Sequence, residues 1–149
     1  MAATIPRVPT WISYFNPVAK LLLSAGIPMG PNILLTVRGR KSGLPRTTPV
    51  TLIRHAHRRG LISPFGEVNW VHNLRAARYA TIAAGRWKEE VTATELGYPE
   101  AVAFIRDVLA PHARQVPLGG WIVRTLDKID YDHPEETAKG RPVFELHPR

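Results

Sequence analysis

Polar and apolar positions change their period several times along the chain, and each change marks an element. From Pro17, the residues Val18, Leu21, Leu22 and Ala25 recur at the i, i+3, i+4, i+7 spacing of a helix face, with Gly26 placed to stop it; this predicts a helix over 14–25. Upstream, Trp11, Ile12 and Phe15 fall on one side of a short amphipathic turn. Residues 33–38 (ILLTVR) and 47–54 (TTPVTLIR) are β-branched, apolar runs, and the Gly- and Pro-containing segment 39–46 between them predicts a hairpin. A second turn over 55–60 leads to a third strand at 61–63. Asn69–Ala77 returns to helical spacing, with Trp70, Asn73, Leu74 and Ala77 on one side. Tyr79–Ala84 and residues 87–94 flank Gly85-Arg86, a two-residue hairpin turn. Pro99 suits the first turn of a helix whose apolar stripe is Ala101, Val102, Ile105, Val108 and Leu109. Residues 142–147 (PVFELH) read as a closing strand. Five to six mostly antiparallel strands with two to three flanking helices make an α+β chain whose sheet is a barrel or half-barrel.

A length of 149 residues is that of one domain, so the expectation is a single domain over 1–149 with an N-terminal helical segment over 1–29. There is no cysteine, which excludes disulfides, Cys-ligated metals and thiol nucleophiles. The apolar stretch 21–37 is broken by Gly26, Pro28, Gly30 and Pro31, and residues 1–6 lack the charged start and apolar run of a secretory signal, so a cytoplasmic location is expected. Charge changes the picture more than composition does. The chain carries +8, and residues 1–66 hold nine Lys/Arg and no acidic residue, whereas residues 67–149 hold 11 basic and all 12 acidic residues. A folded half so unbalanced repels itself unless an anionic partner compensates: a phosphorylated cofactor, a nucleic acid or a membrane surface. Arg outnumbers Lys by 15 to 5, which suits bidentate contacts to phosphate or carboxylate.

The segment 36–49, T-V-R-G-R-K-S-G-L-P-R-T-T-P, gathers this charge between two strands. Arg40, Lys41 and Arg46 surround a turn in which Gly39 and Gly43 can take positive φ and turn backbone N–H groups toward a ligand, and Ser42 adds a hydroxyl. Planar fork, mobile ammonium and fixed dipoles together suit a phosphate or a group of carboxylates. The alternative is a merely exposed basic hairpin. Neither the P-loop spacing nor a dinucleotide-binding Gly pattern is present. A second segment, 63–77, offers Phe65 and Trp70 as flat faces for a ring, Gly66 as a turn, and the N-terminus of a helix beginning near Asn69. Its competing reading is that Trp70 and Leu74 are core residues of an ordinary helix.

Taken together, G-R-K-S-G-x-P-R-x-x-P at 39–49 and P-F-G-x-x-x-W-V-x-N-L-R-A at 64–76 resemble the deazaflavin (coenzyme F-420)-dependent nitroreductase family. The resemblance spans residues 30–95 and extends loosely to the closing P-V-F-E-L strand. It implies a split β-barrel and an oxidoreductase that transfers a hydride from C5 of the reduced 8-hydroxy-5-deazaflavin to an electron-poor acceptor such as an enone, quinone or nitroarene. It implies Arg40, Lys41, Ser42 and Arg46 as contacts for the coenzyme's phosphate and oligoglutamate tail. Pro49 would lie beside the ring, the Phe65-Gly66 backbone near its polar edge, and Trp70 and Asn73 would form the family's W-x-x-N pair. Thr51, where nitroimidazole-reducing members carry an aromatic, and the short Phe65-Gly66-Glu67 loop depart from that pattern, which argues against nitroimidazole as the acceptor.

Alternatives remain open at this point. FMN also presents a phosphate, so an FMN-binding barrel enzyme or a non-catalytic carrier fits the same turn. Nucleic-acid binding through 38–41 is disfavoured by the absence of a basic recognition helix. Arg7 and Lys20 alone allow at most a peripheral membrane contact, and a homodimer is compatible with the sequence. Tyr131, His133 and Ser63 are candidate proton donors, with water as their competitor. His55 and His57 read as a solvated hairpin tip rather than a metal site.

Overall fold

The structure, a computed structural model, describes residues 32–115 and 130–149. The expected helix over 14–25, the N-terminal segment and its membrane contact lie outside the described residues. Seven strands form one antiparallel sheet: β1 (Asn32–Arg38), β2 (Pro45–Thr51), β3 (Ile53–His55), β4 (Arg58–Ile62), β5 (Tyr79–Ala84), β6 (Trp87–Glu95) and β7 (Val143–Pro148). Their order across the sheet is β2-β1-β5-β6-β7-β4-β3. The two edge strands, β2 and β3, are joined by one residue, Leu52. Two Cα steps span at most about 7.6 Å, so the opposite edges of the sheet meet at Leu52 and the sheet is rolled on itself as a split β-barrel.

Side-chain alternation fills the barrel. Ile33, Leu35 and Val37 of β1, Ile82 of β5, Val91 and Ala93 of β6, and Phe144 and Leu146 of β7 point inward and are buried. Helix α1 (Asn69–Ala77) packs Val71 and Leu74 into the same core. Each fully buried large side chain of this inward row contributes about 1.5–3 kcal/mol to stability. A second apolar cluster lies on the other face of the sheet. There α2 (Tyr98–Phe104), a π turn (Ile105–Leu109) and α3 (Ala110–Gln115) set Phe104, Ile105 and Leu109 against Ile53 and Val143, with α4 (Pro134–Ala138) beside them. Helix α2 starts with Pro99 in its first turn, as its sequence predicts.

The structure exceeds the expected strand count for a local reason. The run 47–54, predicted as one strand, changes partners at Leu52: residues up to Thr51 pair with β1, and those from Ile53 pair with β4. The third strand begins at Arg58 rather than residue 61, because its charged start is matched by carboxylates. Arg58 forks onto Glu145 at 2.7 and 3.0 Å, and Arg59 binds Glu89. The turn before it shrinks to Ala56-His57, with Ala56 at φ 55°. On edge strand β3, Nδ1 of His112 covers Arg54, lying 3.1 Å from its amide nitrogen and 2.9 Å from its carbonyl oxygen. Among the described residues, no helix is long and apolar enough to cross a membrane.

Candidate functional site

The β1–β2 connection is held by its own backbone. Gly39 donates its N–H to the Leu44 carbonyl at 2.8 Å, Gly43 donates back to the Gly39 carbonyl at 2.9 Å, and Gly43 takes φ 74°. A side chain at Gly39 would crowd the turn, since an added Cβ would lie 3.0 Å from Ser42 Oγ and 3.1 Å from the Leu44 carbonyl. Ser42 Oγ accepts the Leu44 N–H at 3.2 Å, which leaves its hydroxyl proton to donate elsewhere. Helix α1 supplies the facing wall. Its Asn73 Oδ1 accepts the Arg40 backbone N–H at 3.1 Å and Arg40 Nη1–H at 2.8 Å, tying the turn to the helix.

Between turn and helix lies a cavity of about 520 Å³, within the range of small-molecule sites. Arg40, Lys41, Ser42 and Arg46 line it from one side, and Trp70 and Asn73 from the other. The sequence motif thus converges in space with the W-x-x-N pair. Trp70 serves two purposes at once, because it walls the cavity while its ring centroid lies 6.1 Å from that of core residue Phe144. Thr47, Thr48 and Asn69 also line the cavity. Sequence reasoning missed them, although the two threonines occupy the unspecified positions of the first motif.

The cations of this cavity are gathered without acidic company. Among the described residues, Arg40, Lys41, Arg46 and neighbouring Arg38 have no carboxylate within ion-pair distance, and no acidic residue lines the cavity. By contrast, Arg58, Arg59, Arg75, Arg106 and Arg114 are each matched by a carboxylate. Arg75 of α1 binds both Glu67 and Glu95 at 2.7–2.9 Å, which holds its pKa above the ordinary arginine value, first through the bond to Glu95. A donor set of two guanidinium groups, an ammonium and a hydroxyl, with no competing carboxylate, fits a phosphate and a carboxylate tail.

The remaining expected site residues fall elsewhere. Pro49 sits in β2 opposite Leu34, and neither it nor Phe65 nor Gly66 lines the cavity. Gly66, at φ 82°, belongs to the turn leading into α1, where buried Ser63 donates its hydroxyl proton to the Gly66 carbonyl. Arg141 reaches the same turn, donating Nε–H to the Pro64 carbonyl at 3.2 Å, and burial lowers its pKa from the ordinary arginine value. Tyr131 is buried among the outer helices with the Arg114 guanidinium 5.4 Å from its ring centre, and exposed His133 pairs with Asp130 at 2.7 Å. None of Ser63, Tyr131 and His133 lines the cavity.

The fold is a split β-barrel, and the cavity between its β1–β2 turn and α1 is lined by cations without a carboxylate. Residues 19–115 match the F420H(2)-dependent quinone reductase family, and the chain belongs to that family. It is therefore an F420H2-dependent reductase with coenzyme F-420 as its cofactor, which sets aside the FMN and carrier alternatives. Comparison with curated proteins gives no match. Among solved structures, it is similar to a domain-swapped dimer with a TM-score of 0.53 and 17% identity, covering 92% of this chain and 97% of that one. It is similar to an F420-H2 dependent reductase with a TM-score of 0.51 and 19% identity, covering 78% and 94%. A protein of the pyridoxinephosphate oxidase family from Clostridium acetobutylicum gives a TM-score of 0.50 at 11% identity, covering 89% and 82%. At these identities the likeness concerns the fold.

Proposed function

We propose that this protein binds reduced coenzyme F-420 in the cavity between the β1–β2 turn and α1 and reduces a quinone there, with enones and nitroarenes as further acceptors of the same electron-poor kind. The observation that carries the reading is the set of carboxylate-free cations, Arg40, Lys41 and Arg46, around a turn whose backbone bonds already fix its shape. When bound, the coenzyme supplies a hydride from C5 of its reduced ring. Arg40, Lys41 and Arg46 hold its anionic groups, Ser42 donates a hydroxyl hydrogen bond, and the Trp70 indole offers a face to the ring. Pro49, Phe65 and Gly66, on the adjacent strand and turn, would meet the parts of the ring system that extend beyond the cavity. Reduction of a quinone to a hydroquinone requires a proton as well as the hydride. Because Tyr131, His133 and Ser63 do not line the cavity, the reading takes this proton from water.

The test is a fluorescence titration with coenzyme F-420 and, in parallel, FMN. The Arg40→Ala/Lys41→Ala variant should bind coenzyme F-420 roughly 10- to 100-fold more weakly, the scale of charge-assisted contacts in a partly exposed site. Unchanged affinity in that variant removes the site assignment. Quinone-dependent oxidation of the reduced coenzyme then tests the acceptor. The reading keeps the protein in the cytoplasm, and light scattering reads whether it self-associates, as the similar domain-swapped dimer does.

A further inference from the structure

The geometry points to Asn73 as a positioning residue that aims Arg40 into the cavity, an inference resting on the reading that this turn binds the coenzyme's anionic groups. Asn73 is buried in α1, yet its Oδ1 accepts two hydrogen bonds from one residue 33 positions upstream: the Arg40 backbone N–H at 3.1 Å and Arg40 Nη1–H at 2.8 Å. Both partners can only donate, so the amide oxygen faces Arg40 and its two lone pairs are both used. That oxygen is thereby committed to the protein rather than to a ligand.

The choice of a neutral acceptor matters. An arginine at the start of an exposed turn samples many rotamers, and a ligand that uses it must restrict them on binding. One anchored Nη1–H removes much of that freedom in advance while leaving the other guanidinium N–H groups to bind an anion. An aspartate at position 73 could make the same two bonds, but its charge would offset that of Arg40. Asparagine orients the cation without spending its charge, in keeping with a cavity lined by no acidic residue.

The first readout needs no coenzyme. Amide hydrogen exchange at Arg40 should quicken about tenfold or more in Asn73→Ala and stay slow in Asn73→Asp, which keeps the acceptor; an unchanged rate in Asn73→Ala overturns the proposal. Should the alanine variant fail to fold, the aspartate variant carries the test. Coenzyme F-420 affinity should fall about tenfold in Asn73→Ala, and in Asn73→Asp it should fall at least as far with a flatter salt dependence. A salt dependence as steep as wild type in Asn73→Asp contradicts the charge argument. The Arg40→Ala/Asn73→Ala double variant should bind only a few-fold more weakly than Arg40→Ala alone. Losses that multiply instead would make Asn73 an independent ligand through Nδ2 and overturn the positioning role. Wild-type affinity in Lys41→Ala/Arg46→Ala would remove the coenzyme reading and the coenzyme part of this proposal, while exchange at Arg40 decides the anchor on its own.

Discussion

Arg58 and Glu145 meet across β4 and β7 on the face that also carries the outer helices, and the fork between them leaves a measurable trace in pH. The hydrogen bonds from Arg58, assisted by its charge, hold the Glu145 carboxyl below its ordinary value of 4.5. The folded state thus binds this proton less readily than the unfolded chain. The pair's stabilisation is complete above the ordinary value and is lost as pH falls through the lowered one. With both side chains partly solvated, the pair contributes about 1 kcal/mol. Glu145→Gln should therefore be less stable than wild type near neutral pH, with the gap in urea midpoint closing as pH falls below the ordinary carboxyl value and through the lowered one. A gap independent of pH would mean that the carboxylate's charge contributes nothing. Trp70 makes a second prediction at this scale. Because its ring both packs near Phe144 and walls the cavity, Trp70→Ala should lower thermal stability and coenzyme affinity together, and loss of stability alone would confine it to the core. The sequence left those two readings of Trp70 as rivals, since a helical stripe shows which side is apolar and not what lies beyond its edge.

At the scale of elements, Phe104 packs tightly against β4 at Gly60. A Cβ added at Gly60 would lie within 2.5 Å of the Phe104 ring and of the Phe144 carbonyl oxygen, and the latter is backbone paired in the sheet. Gly60→Ala must push α2 off the sheet, at a cost of about 1–3 kcal/mol or more, read as a lower denaturant midpoint at unchanged slope. Most elements were legible in the sequence. α1 has the bounds its periodicity predicts, β5 and β6 meet at Gly85-Arg86, and Pro99 marks the start of α2. The residues that were not legible share a cause. β3 is too short for alternation to show, and Arg58 and Arg59 look like a turn until Glu145 and Glu89, far along the chain, are seen to match them. The π turn at Ile105–Leu109 keeps the apolar stripe of a helix and so leaves no mark in the sequence.

Over the whole molecule, the described cations of the acid-free stretch, residues 32–66, are not all treated alike. Arg58 and Arg59 are neutralised by carboxylates from the later half of the chain, whereas the cations of the β1–β2 turn are not. Net charge hinted at an anionic partner, but only the fold shows which cations stay free to meet it. Their field reaches solvent and is screened by salt over about 8–10 Å at physiological ionic strength, so coenzyme affinity should fall steadily as salt rises. In Arg40→Ala/Lys41→Ala that slope should flatten, and an equal slope in both proteins would assign the effect to net charge rather than to this turn. The candidate coenzyme site was legible as two motifs, because turn chemistry and helix periodicity are local. The tie between them through Asn73 was not, because it spans 33 residues.

The single residue between β2 and β3 also orders events in time. The hairpin β1–β2 uses contacts within residues 32–51 and can form as soon as that stretch exists, whereas β4 finds its second neighbour only in β7, some 80 positions later. Pairing over such separation is slow, because the loop must close before any contact rewards it. The turn that gathers the cations is therefore a local, early structure. Sealing of the barrel at Leu52 is a late one, and until then the inward row of β1 is open to other chains. Aggregation during refolding should be governed by how fast residues 143–148 arrive rather than by how well the β1–β2 turn is made.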